Sequence, residues 1–185
     1  MEIGGFQACS LLDYPKHLSL LVFTQGCNFN CHYCHNKLLI PKEKGIVTEQ
    51  EVFSLLEKYK HMLQAVVITG GEPTLQPDLL QFIKKVKKYG MKVKVDTNGS
   101  KPEVLKKILP FVDFIAMDYK AGLNNYNDIA QSKDPDVANK IKESIKYILN
   151  SGVQYQFRTT GNYDREQVEK EMKNYVHVFQ EVRIC

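Results

Sequence analysis

Apolar runs of strand length alternate with amphipathic helical stretches along nearly the whole chain, and this alternation constrains the fold more than any other feature. Residues 18–24 read as the first strand, and a loop carrying three cysteines follows. A helix is expected from about Thr48, because Thr48 and Glu51 have capping-box spacing and Val52, Leu55, Leu56, Tyr59 and Met62 recur with helical period. Residues 66–69 form a short strand of buried type ending in glycines. The helix after it starts near Asp78, and Gly90 is placed to stop it. Residues 91–97, 111–119 and 153–160 read as the third, fourth and fifth strands, and 101–109, 136–150 and 164–175 as helices. Residues 176–184 complete the pattern as a sixth strand.

Parallel strands joined by helices leave two architectures, an open doubly wound sheet or a barrel. Strand parity separates them, since side chains alternate between the two faces of a sheet. Lys94 and Asp96 share a face of the third strand, Asp118 and Lys120 a face of the fourth, and Gln154, Gln156 and Arg158 a face of the fifth. Three successive strands with one polar face each imply a lumen that solvent or ligand can reach. The expected fold is α/β, a partial, open (β/α)6 barrel, with residues 1–185 as one domain.

Composition excludes several classes. The 185 residues are 43% hydrophobic and 25% charged, which is an ordinary globular mixture. No apolar run approaches the roughly 18 to 20 residues of a bilayer-spanning helix. The start, Met1 to Gly5, lacks the basic and apolar stretches of a secretory signal, so a cytoplasmic protein without a membrane partner is expected. The net charge is +4, and the lysines of the helical stretches read as solvated outer faces, which argues against a nucleic-acid partner.

Five cysteines are present, an odd number, and Cys27, Cys31 and Cys34 crowd into eight residues. A disulfide framework would be even and dispersed, whereas a cluster of this kind points to metal. Three soft thiolates suit zinc or an iron–sulfur cluster. A four-iron cluster normally takes four cysteines, so three would leave one iron open to a substrate. Zinc would instead take His32 or His35 as a fourth ligand, and Cys9 and Cys185 are further candidates.

The spacing Cys27-x3-Cys31-x2-Cys34 with Tyr33 resembles the signature of the radical S-adenosylmethionine superfamily. Thr69-Gly70-Gly71-Glu72-Pro73 is similar to the glycine-rich motif of that superfamily at the end of the second strand. Ile3-Gly4-Gly5-Phe6, Ser10-Leu11-Leu12-Asp13-Tyr14-Pro15, Phe23-Thr24-Gln25-Gly26-Cys27 and Tyr33-Cys34-His35-Asn36 resemble activating proteins of anaerobic ribonucleoside-triphosphate reductase. So do Asp96-Thr97-Asn98-Gly99, Ala116-Met117-Asp118-Tyr119-Lys120 and Phe157-Arg158-Thr159-Thr160. Two departures stand out. Gln156 stands where the resemblance leads one to expect an acidic residue, and the chain beyond 165 is short and unlike the family pattern.

The resemblance implies a [4Fe–4S] cluster on Cys27, Cys31 and Cys34, with the methionyl amine and carboxylate of S-adenosylmethionine on the open iron. It further implies cofactor contacts from Tyr33, Gly70, Gly71, Glu72, Asp96, Thr97, Asn98, Asp118, Lys120 and Arg158. Gly70 and Gly71 would let backbone approach the amine, and Tyr33 would lie near the adenine. Asp96, Asp118 and Lys120 would surround the carboxylate and ribose, with room for a monovalent cation between the aspartates, and Arg158 would present its donor fork. No side-chain acid or base is required. The implied partners are a glycyl radical enzyme, anaerobic ribonucleotide reductase, and a flavodoxin or ferredoxin as reductant. Activation of pyruvate formate-lyase, 7-carboxy-7-deazaguanine synthesis and a zinc-dependent binding module are the alternatives.

Overall fold

The computed structural model describes residues 1–161 and 164–181. Its centre is a seven-stranded sheet whose spatial order is the order in sequence. The strands are β1 (Ile3–Ser10), β2 (Ser19–Thr24), β3 (Ala65–Gly70), β4 (Lys92–Thr97), β5 (Phe114–Asp118), β6 (Gln154–Thr160) and β7 (His177–Gln180). β1 pairs antiparallel with β2, and every later pairing is parallel. The helices are α1 (Glu49–Tyr59), α2 (Leu79–Lys88), α3 (Pro102–Ile108), α4 (Tyr126–Ala130), α5 (Val137–Asn150) and α6 (Arg165–Met172).

Local chemistry sets the element ends. Thr48 caps α1 with the complete capping box, its hydroxyl accepting from the Glu51 amide while the Glu51 carboxylate accepts from the Thr48 amide. Gly90, at φ +73°, ends α2 in the left-handed conformation that a side chain disfavours. The fourth strand of the sequence reading starts later than expected. Pro110 lies in a single helical turn, Leu109–Phe111, and pairing begins only at Phe114.

The two faces of the sheet are different environments. Leu20, Val22, Val66, Ile68, Val93, Val95, Ile115, Met117 and Phe157 point outward and pack against the buried stripes of the helices, such as Val52 and Leu56 of α1 and Phe82, Ile83 and Val86 of α2. Each such side chain, fully buried, contributes about 1.5–3 kcal/mol. On the other face, Leu21, Ala65, Val67, Phe114 and Ala116 gather around Tyr14 of the β1–β2 connection, and among the described residues no helix residue joins them. A doubly wound sheet carries helices on both faces. Here they cover one, so the structure is an open partial barrel with an apolar floor closed by Tyr14.

Two elements escaped the sequence reading. β1 is a mostly exposed antiparallel edge strand, and its start, with Gly4 and Gly5, lacks an alternating apolar pattern. α4 is five residues long, too short to show a period. The outer part of the expected sixth strand, and Cys185, lie outside the described residues.

Candidate functional site

The cysteine loop leaves β2 at Thr24 and crosses the C-terminal ends of the parallel strands, where the connecting loops of such sheets build sites. It is fastened along its length. The Gly26 and Cys27 amides donate to Leu39 and Ile40 carbonyls at 2.8 and 3.0 Å, and the Asn30 amide donates to the Ala130 carbonyl at the end of α4 at 3.2 Å. The Cys34 amide donates to the Cys31 carbonyl at 3.0 Å, which turns the last two cysteines back on each other. Cys31 is buried, and Cys27 and Cys34 are partly so.

Burial, reinforced by the nearby Glu72 carboxylate, pushes Cys27 up to about 12, and burial also raises Cys31 against the pull of the Lys120 ammonium. Without a metal Cys27 and Cys31 keep their protons, and a soft metal group that takes them as thiolates releases those protons. Three sulfurs on one short loop, one buried and two partly buried, form a donor set suited to an iron–sulfur group. A mononuclear zinc knuckle is less well served. His32 and His35 are exposed, and among the described residues no three His, Cys, Asp or Glu side chains gather closely enough to hold a single ion. Cys9 lies at the far end of β1, near the Ser10–Ser19 pair, roughly 17 Å of strand from Thr24.

The glycine motif abuts this loop. The Gly71 amide donates to the Thr24 carbonyl at 2.9 Å and the Glu72 amide to the Gly26 carbonyl at 2.8 Å. A Cβ on Gly71 would sit 2.3 Å from the Gly26 oxygen, and one on Gly70, at φ +108°, 2.4 Å from the Thr24 nitrogen. The glycines therefore let two loops lie in contact, and the chain itself fills the room that a side chain would take. Glu72 has a matching task. It is 1% exposed, and its carboxylate accepts from the Thr74 amide at 3.0 Å, Thr97 hydroxyl at 2.7 Å and Asn98 amide at 2.7 Å. Burial raises its proton affinity, partly offset by these bonds. Glu72, Thr97 and Asn98, expected as cofactor contacts, thus tie the β3 loop to the β4 loop.

The polar faces foreseen from parity converge in the lumen. Lys94 Nζ lies 2.6 Å from Asp96 Oδ1, and Arg158 Nη1 lies 3.1 Å from Asp96 Oδ2. Arg158 Nη2 lies 2.8 Å from Asp118 Oδ1, and Lys120 Nζ 2.7 Å from Asp118 Oδ2. Register explains the contact, since Asp118 of β5 stands opposite Arg158 of β6. Burial works to raise the Asp118 carboxyl, but Arg158 and Lys120 outweigh it and hold it at about 2. Lys120 also lies 5.9 Å from the centre of the Tyr33 ring, which links this charged row to the cysteine loop. Gln156 is on the same lumen face, opposite Ala116. Each oxygen of Asp96 and Asp118 has a side-chain cation within 3.1 Å, Arg158 bridges the two carboxylates, and Asp96 Oδ1 is buried beside Lys94 without a hydrogen bond.

Comparison with known proteins agrees with this geometry. The sequence profile of the radical SAM superfamily matches residues 21–174. A Methanocaldococcus jannaschii protein named, provisionally, a glycyl-radical enzyme activating enzyme is 34% identical over 163 residues, covering 85% of this chain and 67% of that protein. The pyruvate formate-lyase 1-activating enzyme of Escherichia coli K12 is 29% identical over 167 residues, covering 85% of this chain and 66% of that one. The chain thus spans about two thirds of the length of these relatives. Among solved structures, TYW1 with a lysine-pyruvate adduct bound superposes with a TM-score of 0.69 at 20% identity, covering 91% of this chain and 66% of that one, a likeness of fold. The superfamily uses a [4Fe–4S] cluster and S-adenosylmethionine. A thiol triad over one end of a partial barrel, a glycine motif pressed against it and a matching profile over most of the sequence lead to one assignment: the chain belongs to the radical SAM superfamily.

Proposed function

We propose that this chain is an activating enzyme that cleaves S-adenosylmethionine reductively and generates a glycyl radical on anaerobic ribonucleoside-triphosphate reductase. The observation that carries the reading is the meeting, at one end of the sheet, of a three-thiol loop, with Cys31 buried, and a lumen row of three cations and two carboxylates. Cys27, Cys31 and Cys34 would hold the cluster. When bound, that cluster supplies the electron that splits the sulfonium into methionine and a deoxyadenosyl radical. Lys120 and Arg158 offer donors to a methionyl carboxylate, and Asp96 and Asp118 offer acceptors to the amine and the ribose hydroxyls. Tyr33, beside Lys120, supplies a ring against which an adenine can pack. The apolar floor beneath excludes water, and the open side of the barrel admits a peptide loop bearing the target glycine. A flavodoxin or ferredoxin is the matching electron donor.

The relatives named for glycyl-radical activation support the enzyme class, and the motifs from Ile3 to Thr160 support the ribonucleotide reductase as partner. Anaerobic loading with iron and sulfide, reduction and addition of S-adenosylmethionine should yield 5′-deoxyadenosine. Adding the reductase should then yield a doublet glycyl signal by EPR. Cofactor turnover without that signal, or a signal only with pyruvate formate-lyase, would move the partner assignment. Cys31→Ala should abolish deoxyadenosine formation, and retained turnover would refute the cluster assignment.

A further inference from the structure

Asn28 stands between Cys27 and Cys31 and wires the cysteine loop to the β4 loop. Its Nδ2 donates to Ser100 Oγ at 2.8 Å, and its Oδ1 accepts from Asn98 Nδ2 at 3.0 Å. The Ser100 amide donates to Asn98 Oδ1 at 3.0 Å, which closes a ring of three hydrogen bonds. The Asn98 amide then reaches Glu72 Oε2 at 2.7 Å, so the ring continues into the glycine-motif loop. Glu72, Asn98 and Ser100 are all buried, and the Asn28 amide is the loop's side-chain link to them. Hydrogen bonds away from water are costly to leave unmade and restrict the geometry of the groups that make them.

We infer that Asn28 is a positioning residue: it fixes the thiol triad relative to the β3 and β4 loops, and so sets both the reduction behaviour of the group on the thiols and its response to S-adenosylmethionine. The inference rests on the proposed function. It goes further in giving a task to a side chain that is neither a cluster ligand nor a cofactor contact in that reading. Simple anchoring of the loop would predict only a loss of stability. Positioning predicts a change in the spectroscopy and potential of a protein that is still loaded and folded.

Two substitutions separate geometry from charge. Asn28→Ala removes both bonds. Asn28→Asp keeps two acceptors for Asn98 Nδ2 and the Ser100 hydroxyl, and adds a negative charge that opposes uptake of an electron. Wild type and variants are loaded with iron and sulfide anaerobically, and three quantities are measured: the midpoint potential, the EPR spectrum of the reduced cluster with and without S-adenosylmethionine, and the dissociation constant for that cofactor. For Asn28→Ala, cofactor binding should weaken about tenfold, the worth of one to two buried hydrogen bonds, with an altered cofactor-induced spectrum at wild-type iron content. For Asn28→Asp, binding should stay near wild type while the potential falls. Wild-type spectra, potential and affinity in a fully loaded Asn28→Ala protein would overturn the inference. Should Asn28→Ala fail to load, Ser100→Ala decides, because it removes a bond from outside the cysteine loop. A changed spectrum supports positioning, and an unchanged one refutes it. Failure of the wild type itself to load or bind cofactor would count against the proposed function, and that control is read separately.

Discussion

A Cβ on Gly71 has no free volume to enter, because the Gly26 carbonyl oxygen would lie 2.3 Å away, whereas one on Gly90 would meet nothing within 4 Å. Gly90 still carries a positive φ, so Gly90→Ala should cost about 1 kcal/mol from backbone strain alone. Gly71→Ala should cost clearly more, on the order of 2–3 kcal/mol, as two backbone segments are forced apart. Urea unfolding of both metal-free variants checks the order, and equal losses would show that the loop contact yields easily. Thiol labelling gives a second residue-scale expectation. Cys9 is exposed and Cys31 is 7% exposed, so iodoacetamide should modify Cys9 first in the metal-free protein. Loading with iron and sulfide should then protect Cys27, Cys31 and Cys34 while leaving Cys9 reactive, as followed by mass spectrometry. The thiol triad was legible in the sequence because its spacing is local. The tasks of Glu72 and Asn28 were not, because their partners lie 25 to 72 positions away along the chain.

β4, β5 with the segment just after it, and β6 carry the lumen charges, and the period-two placement of Lys94, Asp96, Asp118, Lys120 and Arg158 could be read without coordinates. What parity could not give was register. Arg158 meets Asp118 because β5 and β6 pair those two positions, and that pairing turns separate polar faces into one connected row. Arg158→Gln removes the shared cation from two lumen carboxylates and should destabilise the fold by about 3 kcal/mol, the usual scale for breaking a buried pair from one side. Because Arg158 already bridges the aspartates, thermal unfolding should be the same in potassium, sodium and choline chloride at equal ionic strength. A potassium-specific rise in the melting temperature would show a bound ion and a different lumen. Asp118 also gives a pH dependence of known sign. Its carboxyl titrates at about 2 in the folded chain against an ordinary 3.8, so the ionised form is favoured by folding. That stabilisation is complete above pH 3.8 and fades as the pH falls through 2. Asp118→Asn should flatten the acid limb of the stability curve over this range, and an unchanged slope would assign acid unfolding to other groups.

At the scale of the whole molecule, the alternation of apolar runs and amphipathic stretches gave parallel strands joined by helices and strand parity then chose the open barrel; six of the seven strands are parallel and joined through helices on one face. The remaining strand, β1, was hidden. It runs antiparallel along the sheet edge, and half-exposed edge strands need no apolar alternation. The order of the strands has a consequence for biogenesis. Each strand bonds to the segment made just before it and to the one made just after it, so the sheet can lengthen in step with translation. No pairing has to wait for a distant partner to emerge from the ribosome. The cost of such growth is a bare leading edge at every stage, which makes the newest strand of a stalled chain the place where two nascent copies would stick together.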